Sequence, residues 1–563
     1  MAFATLFLLC GVVCGVTAQF ITPPPASAFT NATGYAGVPV RYKEVPTGIC
    51  ELDPNVKSYS GYADVSENQH IFFWFFEARN VDPKEAPLTV WINGGPGSSS
   101  MIGLFQENGP CGVDENGDVF SNPYSWNNVS NMLYIDQPTQ VGFSYSIPIN
   151  GYVDPSSDAI ITLPDAICPD YAEDIGTCGT YSYANLSLTA NSTSDAAPNL
   201  WKTLQGFMGV FPQYSRSGFH FTTESYGGHY GPIFNECQFI SRSKPKLFYI
   251  LKDIETQNKK NISGAHKISL ETVMYRNGWY DPLIQYQAYY NFTVSPGNTY
   301  DYSPFNASVQ SQFYNNLYGA GNCVDQIKDC AARGIDESIY DNYLDRDEYD
   351  IRELTPDPFP YAFYVSYLNT PEVQSAIGAF QNYSESSEAV FQAFTATGDD
   401  NREDGTLEAL RKLLEQGVYV FLYAGDADYN CNWLGGEVVS HEVNATGFSC
   451  AGYSNITTTD GIVHGQVKQA GKFAFSRIYE SGHEVPFYQP LAALEIFERA
   501  INGKDIATGK TKPGPKYLTE GTAESTYREG NSTIQFEVLP SNARYDTTTG
   551  EPGKRRLRKR TMK

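Results

Sequence analysis

The sequence predicts an α/β fold, a mostly parallel central sheet with helices on both faces. Short apolar, β-rich runs alternate with helical stretches, as they do when parallel strands are joined by crossover helices. At 563 residues, 14% of them aromatic, the chain is long and apolar enough for a large core. In order, the strand-like runs are His70 to Glu77, Leu88 to Ile92, Asn131 to Ile135, Phe219 to Thr222, Ile268 to Tyr275, Val418 to Tyr423 and Phe473 to Ile478. From Pro282 to about Gly405 the text changes to helical pieces rich in Tyr, Asn and Asp, with two cysteines and no core strand signal. The many aromatics there argue against a disordered linker. There is no tandem repeat, and low complexity is confined to the C-terminal tail.

The chemistry-bearing segment is Glu224-Ser225-Tyr226-Gly227-Gly228-His229, directly after the strand-like Gly218 to Thr223. A serine between a strand and a glycine-permitted turn sits on a sharp elbow, with its hydroxyl exposed and the next N–H aimed at a substrate oxygen. The usual Gly-x-Ser-x-Gly has Thr223 at its first glycine here. A hydroxyl needs a base within reach and a carboxylate that orients the base. Downstream, the run Val418 to Tyr423 breaks into a loop holding Asp426 and Asp428, and Ser481-Gly482-His483-Glu484-Val485-Pro486 follows the last strand-like run. The order Ser, Asp, His is that of α/β-hydrolases. Spacing does not choose between Asp426 and Asp428.

Trp91 to Ser100, Glu107-Asn108-Gly109-Pro110, Asp136-Gln137-Pro138, Glu224 to Tyr230, Tyr423 to Asp428 and Gly482 to Pro486 together resemble the ordered motifs of the serine carboxypeptidases, closest to their fungal secreted or vacuolar branch. The likeness spans about Tyr42 to Leu494, with Gly61-Tyr62 and Asn277-Gly278-Trp279-Tyr280-Asp281-Pro282 as further landmarks. It implies an α/β-hydrolase fold with an inserted, mainly helical cap. The expected division is a signal peptide over 1–18, core over 19–282, cap over 283–405, core again over 406–535 and a basic tail, read as a disordered extension, over 536–563. It also implies Ser225 as nucleophile, His483 as general base then acid, Asp428 as the orienting carboxylate, and backbone N–H groups of Gly95 and Tyr226 as the oxyanion hole. Asn93, the Gly94 N–H, Glu107 and Glu224 resemble the set that binds the substrate's terminal carboxylate. Two carboxyls facing a carboxylate repel it when ionised, so this reading has them protonated and predicts tight peptide binding in acid. The activity implied is that of an acid carboxypeptidase releasing one C-terminal residue at a time through an acyl-enzyme. An acyltransferase or esterase on the same fold is the alternative, and retention of the carboxylate set favours peptides.

Two positions depart from the family pattern. Many members have cysteine where Ser98 stands, forming a disulfide to the insert, so here the insert must be anchored otherwise. Glu484 replaces an apolar methionine of several relatives and resembles the wall of the leaving-residue subsite, where an acid favours Lys or Arg.

Residues 1–18 read as an apolar secretory signal ending Val16-Thr17-Ala18, and no other segment has the length of a membrane span. Secretion or vacuolar delivery is therefore expected. Sequons at Asn31, Asn128, Asn185, Asn191, Asn261, Asn291, Asn306, Asn382, Asn444, Asn455 and Asn531 are candidates for N-linked glycans. Of eleven cysteines, Cys10 and Cys14 leave with the signal, and the remaining nine predict one cysteine without a disulfide. Cys431 resembles the family's thiol beside the acyl-side subsite, and Cys168/Cys178 and Cys323/Cys330 are candidate local bridges. Cysteine spacing suggests no zinc site, and no cofactor or metal is expected. A net charge of −24 argues against nucleic acid as partner, although the last ten residues are basic. Peptide and protein C-termini are the expected partners.

Overall fold

Twelve strands form one sheet in the computed structural model. It describes residues 20–534 except 155–156, 158, 174–176, 236–257, 259–261, 295–296, 329–345, 355–359 and 402–404. The strands are β1 (Thr30–Thr33), β2 (Pro39–Val45), β3 (Ser58–Ser66), β4 (Gln69–Phe76), β5 (Leu88–Ile92) and β6 (Asn131–Ile135). They continue with β7 (Phe219–Glu224), β8 (Leu270–Arg276), β9 (Tyr419–Gly425), β10 (Ser454–Thr457), β11 (Val463–Ala470) and β12 (Phe473–Ile478). Their order across the sheet is β1-β2-β3-β4-β6-β5-β7-β8-β9-β12-β11-β10. The run from β6 to β12 is parallel and the flanks are antiparallel.

Burial explains why the central strands were legible. All five residues of β5, and all of β6, β7, β9 and β12, are buried, because both faces are covered. Val90, Phe221, Val273 and Leu422 point to one face, against α1 (Thr193–Val210), α2 (Gly227–Asn235), α3 (Pro282–Thr293), α4 (Thr406–Glu415) and α5 (Trp433–Glu442). Trp91, Met274 and Phe421 point to the other, against α6 (Pro490–Ile501). Each fully buried large apolar side chain contributes about 1.5–3 kcal/mol. β1, β2, β3, β10, β11 and a small sheet of Pro148–Val153, Ile160–Thr162 and Thr177–Ser182 were not expected; β1, Thr-Asn-Ala-Thr, and β10 are short and mostly polar.

Within 283–405 the described residues form helices and no strand. Residues 385–387 are tied to the loop after β5 through backbone: Ser99 N donates to Glu385 O at 2.8 Å and Ser387 N to Gly97 O at 3.0 Å, around a Ser98–Ser386 bridge. Disulfides join Cys50–Cys111 and Cys168–Cys178. The Cys323/Cys330 bridge is corrected, since Cys323 keeps a buried thiol. So is the count of one thiol, because Cys323, Cys431 and Cys450 all lie outside disulfides. Cys237 and Cys330 are outside the described residues, as are the signal segment and the basic tail.

Candidate active site

The site lies at the carboxyl ends of β5, β7, β8, β9 and β12, where open parallel sheets place their ligand crevices. At the end of β7 the chain turns through Ser225 at φ 58°, a left-handed conformation that a serine adopts only when held there. Ser225 N donates to Arg276 O at 3.1 Å and Trp279 N to Ser225 O at 2.8 Å, so the neighbouring strand end fixes the elbow. Thr223, at the missing glycine, turns its Oγ1 to Ile92 O at 2.6 Å. Gly227 makes room for it, as a Cβ there would lie 1.9 Å from that oxygen. Gly94 packs against the elbow so closely that a Cβ would sit 2.5 Å from Tyr226 N and 2.8 Å from Ser225 Cβ. The loop of Gly94 and Gly95 and the N–H of Tyr226 thus converge beside the serine.

The structure separates the two aspartates after β9. His483 Nδ1 lies 2.8 Å from Asp428 Oδ2, which also accepts from Asn277 Nδ2 at 2.6 Å, while Oδ1 accepts from Cys431 N at 3.2 Å. Asp426 faces away, accepting from Tyr300 OH at 2.8 Å with Arg477 Nη2 at 3.6 Å. Burial pulls the His483 imidazole down, but the charge and hydrogen bond of Asp428, with the charge of Glu224, together leave it above its ordinary value. Tyr349 holds the ring through its carbonyl to His483 N at 2.9 Å and a ring contact at 4.9 Å.

Asn93, Glu107 and Glu224 come together, with a cation between the two carboxyls that the resemblance did not imply. The buried guanidinium of Arg276 lies between them, Nη1 on Glu107 Oε2 and Nη2 on Glu224 Oε2. Sheet register puts it there, since Arg276 pairs with Glu224 on β7 and with Tyr423 on β9. Glu224 Oε1 accepts from Asn93 Nδ2, and Asn93 Oδ1 accepts from Trp91 Nε1 at 2.6 Å and Gly103 N at 3.1 Å, which fixes the amide's orientation. Burial pushes the Glu224 carboxyl up and brings Arg276 down to about 10, still a cation at neutral pH. Burial likewise raises Glu484, which faces His483, Arg276 and Glu385.

Sequence reasoning missed Arg276, which ends an apolar run just before the Asn277-Gly278 landmark. It also missed Asp399, whose Oδ2 accepts from Tyr226 OH, Thr193 N and Thr193 Oγ1, each at 2.7 Å. Asp136 pins the loop after β5, taking Ser99 Oγ at 2.7 Å and Ser100 N at 2.9 Å, and burial raises its carboxyl to about 6. Cys431 is buried, its Sγ 3.8 Å from Asn430 Oδ1. Among the described residues, Asp428, Cys431 and His483 are the group whose ligand-type atoms lie within 4.8 Å of one another, and two of these residues already bond each other. Of the sequons, Asn382 is corrected: it is buried, with its amide on Thr180 N at 2.8 Å and Asn369 Oδ1 at 3.3 Å, leaving no room for a glycan. Asn261 lies outside the described residues. No described helix is long and apolar enough to cross a membrane.

The sequence profile described as serine carboxypeptidase matches residues 47–164 and 172–503. Carboxypeptidase S1 homolog B of Arthroderma otae is 39% identical over 93% of this chain and 86% of its own length. Carboxypeptidase S1 of Penicillium janthinellum is 37% identical over 82% of this chain and 99% of its own. The solved structure of Kex1(delta)p, a prohormone-processing carboxypeptidase from Saccharomyces cerevisiae, superposes with a TM-score of 0.60 at 21% identity, covering 83% of this chain and 98% of that one, a likeness of fold. The chain therefore belongs to the serine carboxypeptidase family and is a serine-type carboxypeptidase acting on peptides.

Proposed function

We propose that Ser225 Oγ attacks the carbonyl carbon of a peptide's last amide bond while His483, oriented by Asp428, takes the hydroxyl proton. The same imidazole returns the proton to the leaving amine, and water then hydrolyses the acyl-enzyme by the reverse use of the base. Gly95 and Tyr226 N–H groups stabilise the oxyanion, each such donor being worth about 10²- to 10³-fold in rate. Asn93, the Gly94 N–H, Glu107 and Glu224 receive the terminal carboxylate, which confines cleavage to the last residue. The observation carrying this reading is the Asp428–His483 hydrogen bond at the carboxyl ends of the central strands, where the strained Ser225 elbow also lies. Residues 283–405 act as the cap, 1–18 as a secretory signal, and the exposed sequons, Asn31, Asn306 and Asn444 among them, as glycan sites. The test is product analysis by mass spectrometry after incubating the protein with a blocked dipeptide and with its C-terminal amide in acid. Release of the last residue from the free acid, strongly preferred over the amide, is expected; equal cleavage of both would remove the carboxylate-binding assignment.

Glu484 sets the leaving-residue preference in this reading. Glu484→Met should lower kcat/KM for Lys or Arg leaving groups relative to Leu by about 10-fold, equivalent to about 1.4 kcal/mol of differential binding. Because burial raises this carboxyl, its charge appears only as pH rises through that raised value, so the wild-type basic preference should grow with pH. An unchanged Lys-to-Leu ratio in the variant would place Glu484 outside the subsite.

A further inference from the structure

We propose that Arg276 is a positioning residue for substrate recognition: its fixed cation, clamped between Glu107 and Glu224, removes one of the two protons that a pair of carboxyls would otherwise take up to admit a peptide's terminal carboxylate. The inference rests on assigning Asn93, Gly94, Glu107 and Glu224 to that carboxylate.

The geometry is specific. Arg276 is fully buried at the end of β8, its two terminal nitrogens each on a different glutamate and its guanidinium 5.3 Å from the Trp91 ring centre. Tyr423 from β9, Asp428 from the loop after it, and Glu484 from the turn after β12 also face it. His483, Glu484 and Asp428 face Glu224, and Glu385 faces Glu484 from the insert. Glu107 Oε1 is buried with no hydrogen-bond partner, leaving one carboxyl oxygen of the clamp unspent. Three carboxylates in one buried pocket repel strongly, and two must be neutralised before the cluster carries a single charge. With Arg276 in the cluster, neutralising one is enough. The cation thus does permanently what a second proton does only in acid.

Linkage makes this countable. The slope of log Kd against pH equals the number of protons taken up on binding, so one proton costs about 10-fold in Kd per pH unit and two cost about 100-fold. The experiment measures Kd by calorimetry for a blocked dipeptide and for its C-terminal amide between pH 5 and 8.5. It uses the full chain carrying Ser225→Ala, so that nothing is cleaved. The peptide slope minus the amide slope should be about one with Arg276 present and should approach two in Arg276→Gln. Arg276→Lys should bring it back to one even if its affinity is lower, a rescue that a merely structural role would not give. A difference of two with Arg276 in place overturns the inference while leaving the carboxylate site standing, and that arm needs no Arg276 variant to fold. A difference of one in both Arg276 and Arg276→Gln also overturns it. Identical slopes for peptide and amide overturn the carboxylate site itself, and the inference with it.

Discussion

Asp428→Asn is expected to lower kcat about 10⁴-fold with little loss of stability, whereas Asp426→Asn should destabilise the protein and leave the folded enzyme's kcat within about 10-fold. The two carboxylates are two residues apart in one loop and do unrelated work. Asp428 orients His483 through Nδ1, and an amide at that position holds the ring in the wrong tautomer for proton transfer. Asp426 is the buried counter-charge of Arg477, which also stacks 4.0 Å from the Trp433 ring centre and donates to Thr299 Oγ1 at 2.8 Å. Removing its charge leaves a guanidinium buried and underpaired, at a cost of about 3–5 kcal/mol. Thermal unfolding and kcat on one blocked dipeptide, measured for both variants, separate the roles. A kcat loss of the same size in Asp426→Asn would mean that the assignment of Asp428 is wrong.

Ser225→Ala is expected to reduce kcat/KM by at least about 10⁴-fold, and His483→Ala to cost about as much, with the double variant hardly worse than either. The three groups act as one unit, so removing any member ends nucleophilic attack. Stability should not fall with Ser225→Ala, because its hydroxyl is needed for attack and not for packing. Retention of more than about a thousandth of wild-type kcat/KM would point to a different nucleophile.

Much of this was legible because buried parallel strands write themselves as short β-rich runs with a large apolar share, and because turns at their ends need glycine. Leu88–Ile92 and Phe473–Ile478 could be read to the residue. Ser225 and His483 stood out for the same reason, each sitting in a glycine turn after such a run. Arg276 did not stand out. Its meaning comes from register, which sets it beside Glu224, 52 positions earlier, and from a salt bridge to Glu107. A lone cation at a strand's end carries no sign of partners on other strands. Spacing could not choose between Asp426 and Asp428 either, and only the resemblance pointed to Asp428, because both occupy one loop and the direction each side chain takes is what distinguishes them. The edge strands escaped notice because strands such as Thr30–Thr33, exposed and polar, bury little and so leave no apolar pattern.

The most direct test of the central claim is covalent capture of the nucleophile. The wild-type protein is treated with a fluorophosphonate, digested, and its peptides mapped by mass spectrometry. One equivalent of label on Ser225, appearing in step with loss of carboxypeptidase activity and absent from His483→Ala, is the expected result. Full inactivation with the label on any other residue, or full activity with Ser225 labelled, would contradict the account.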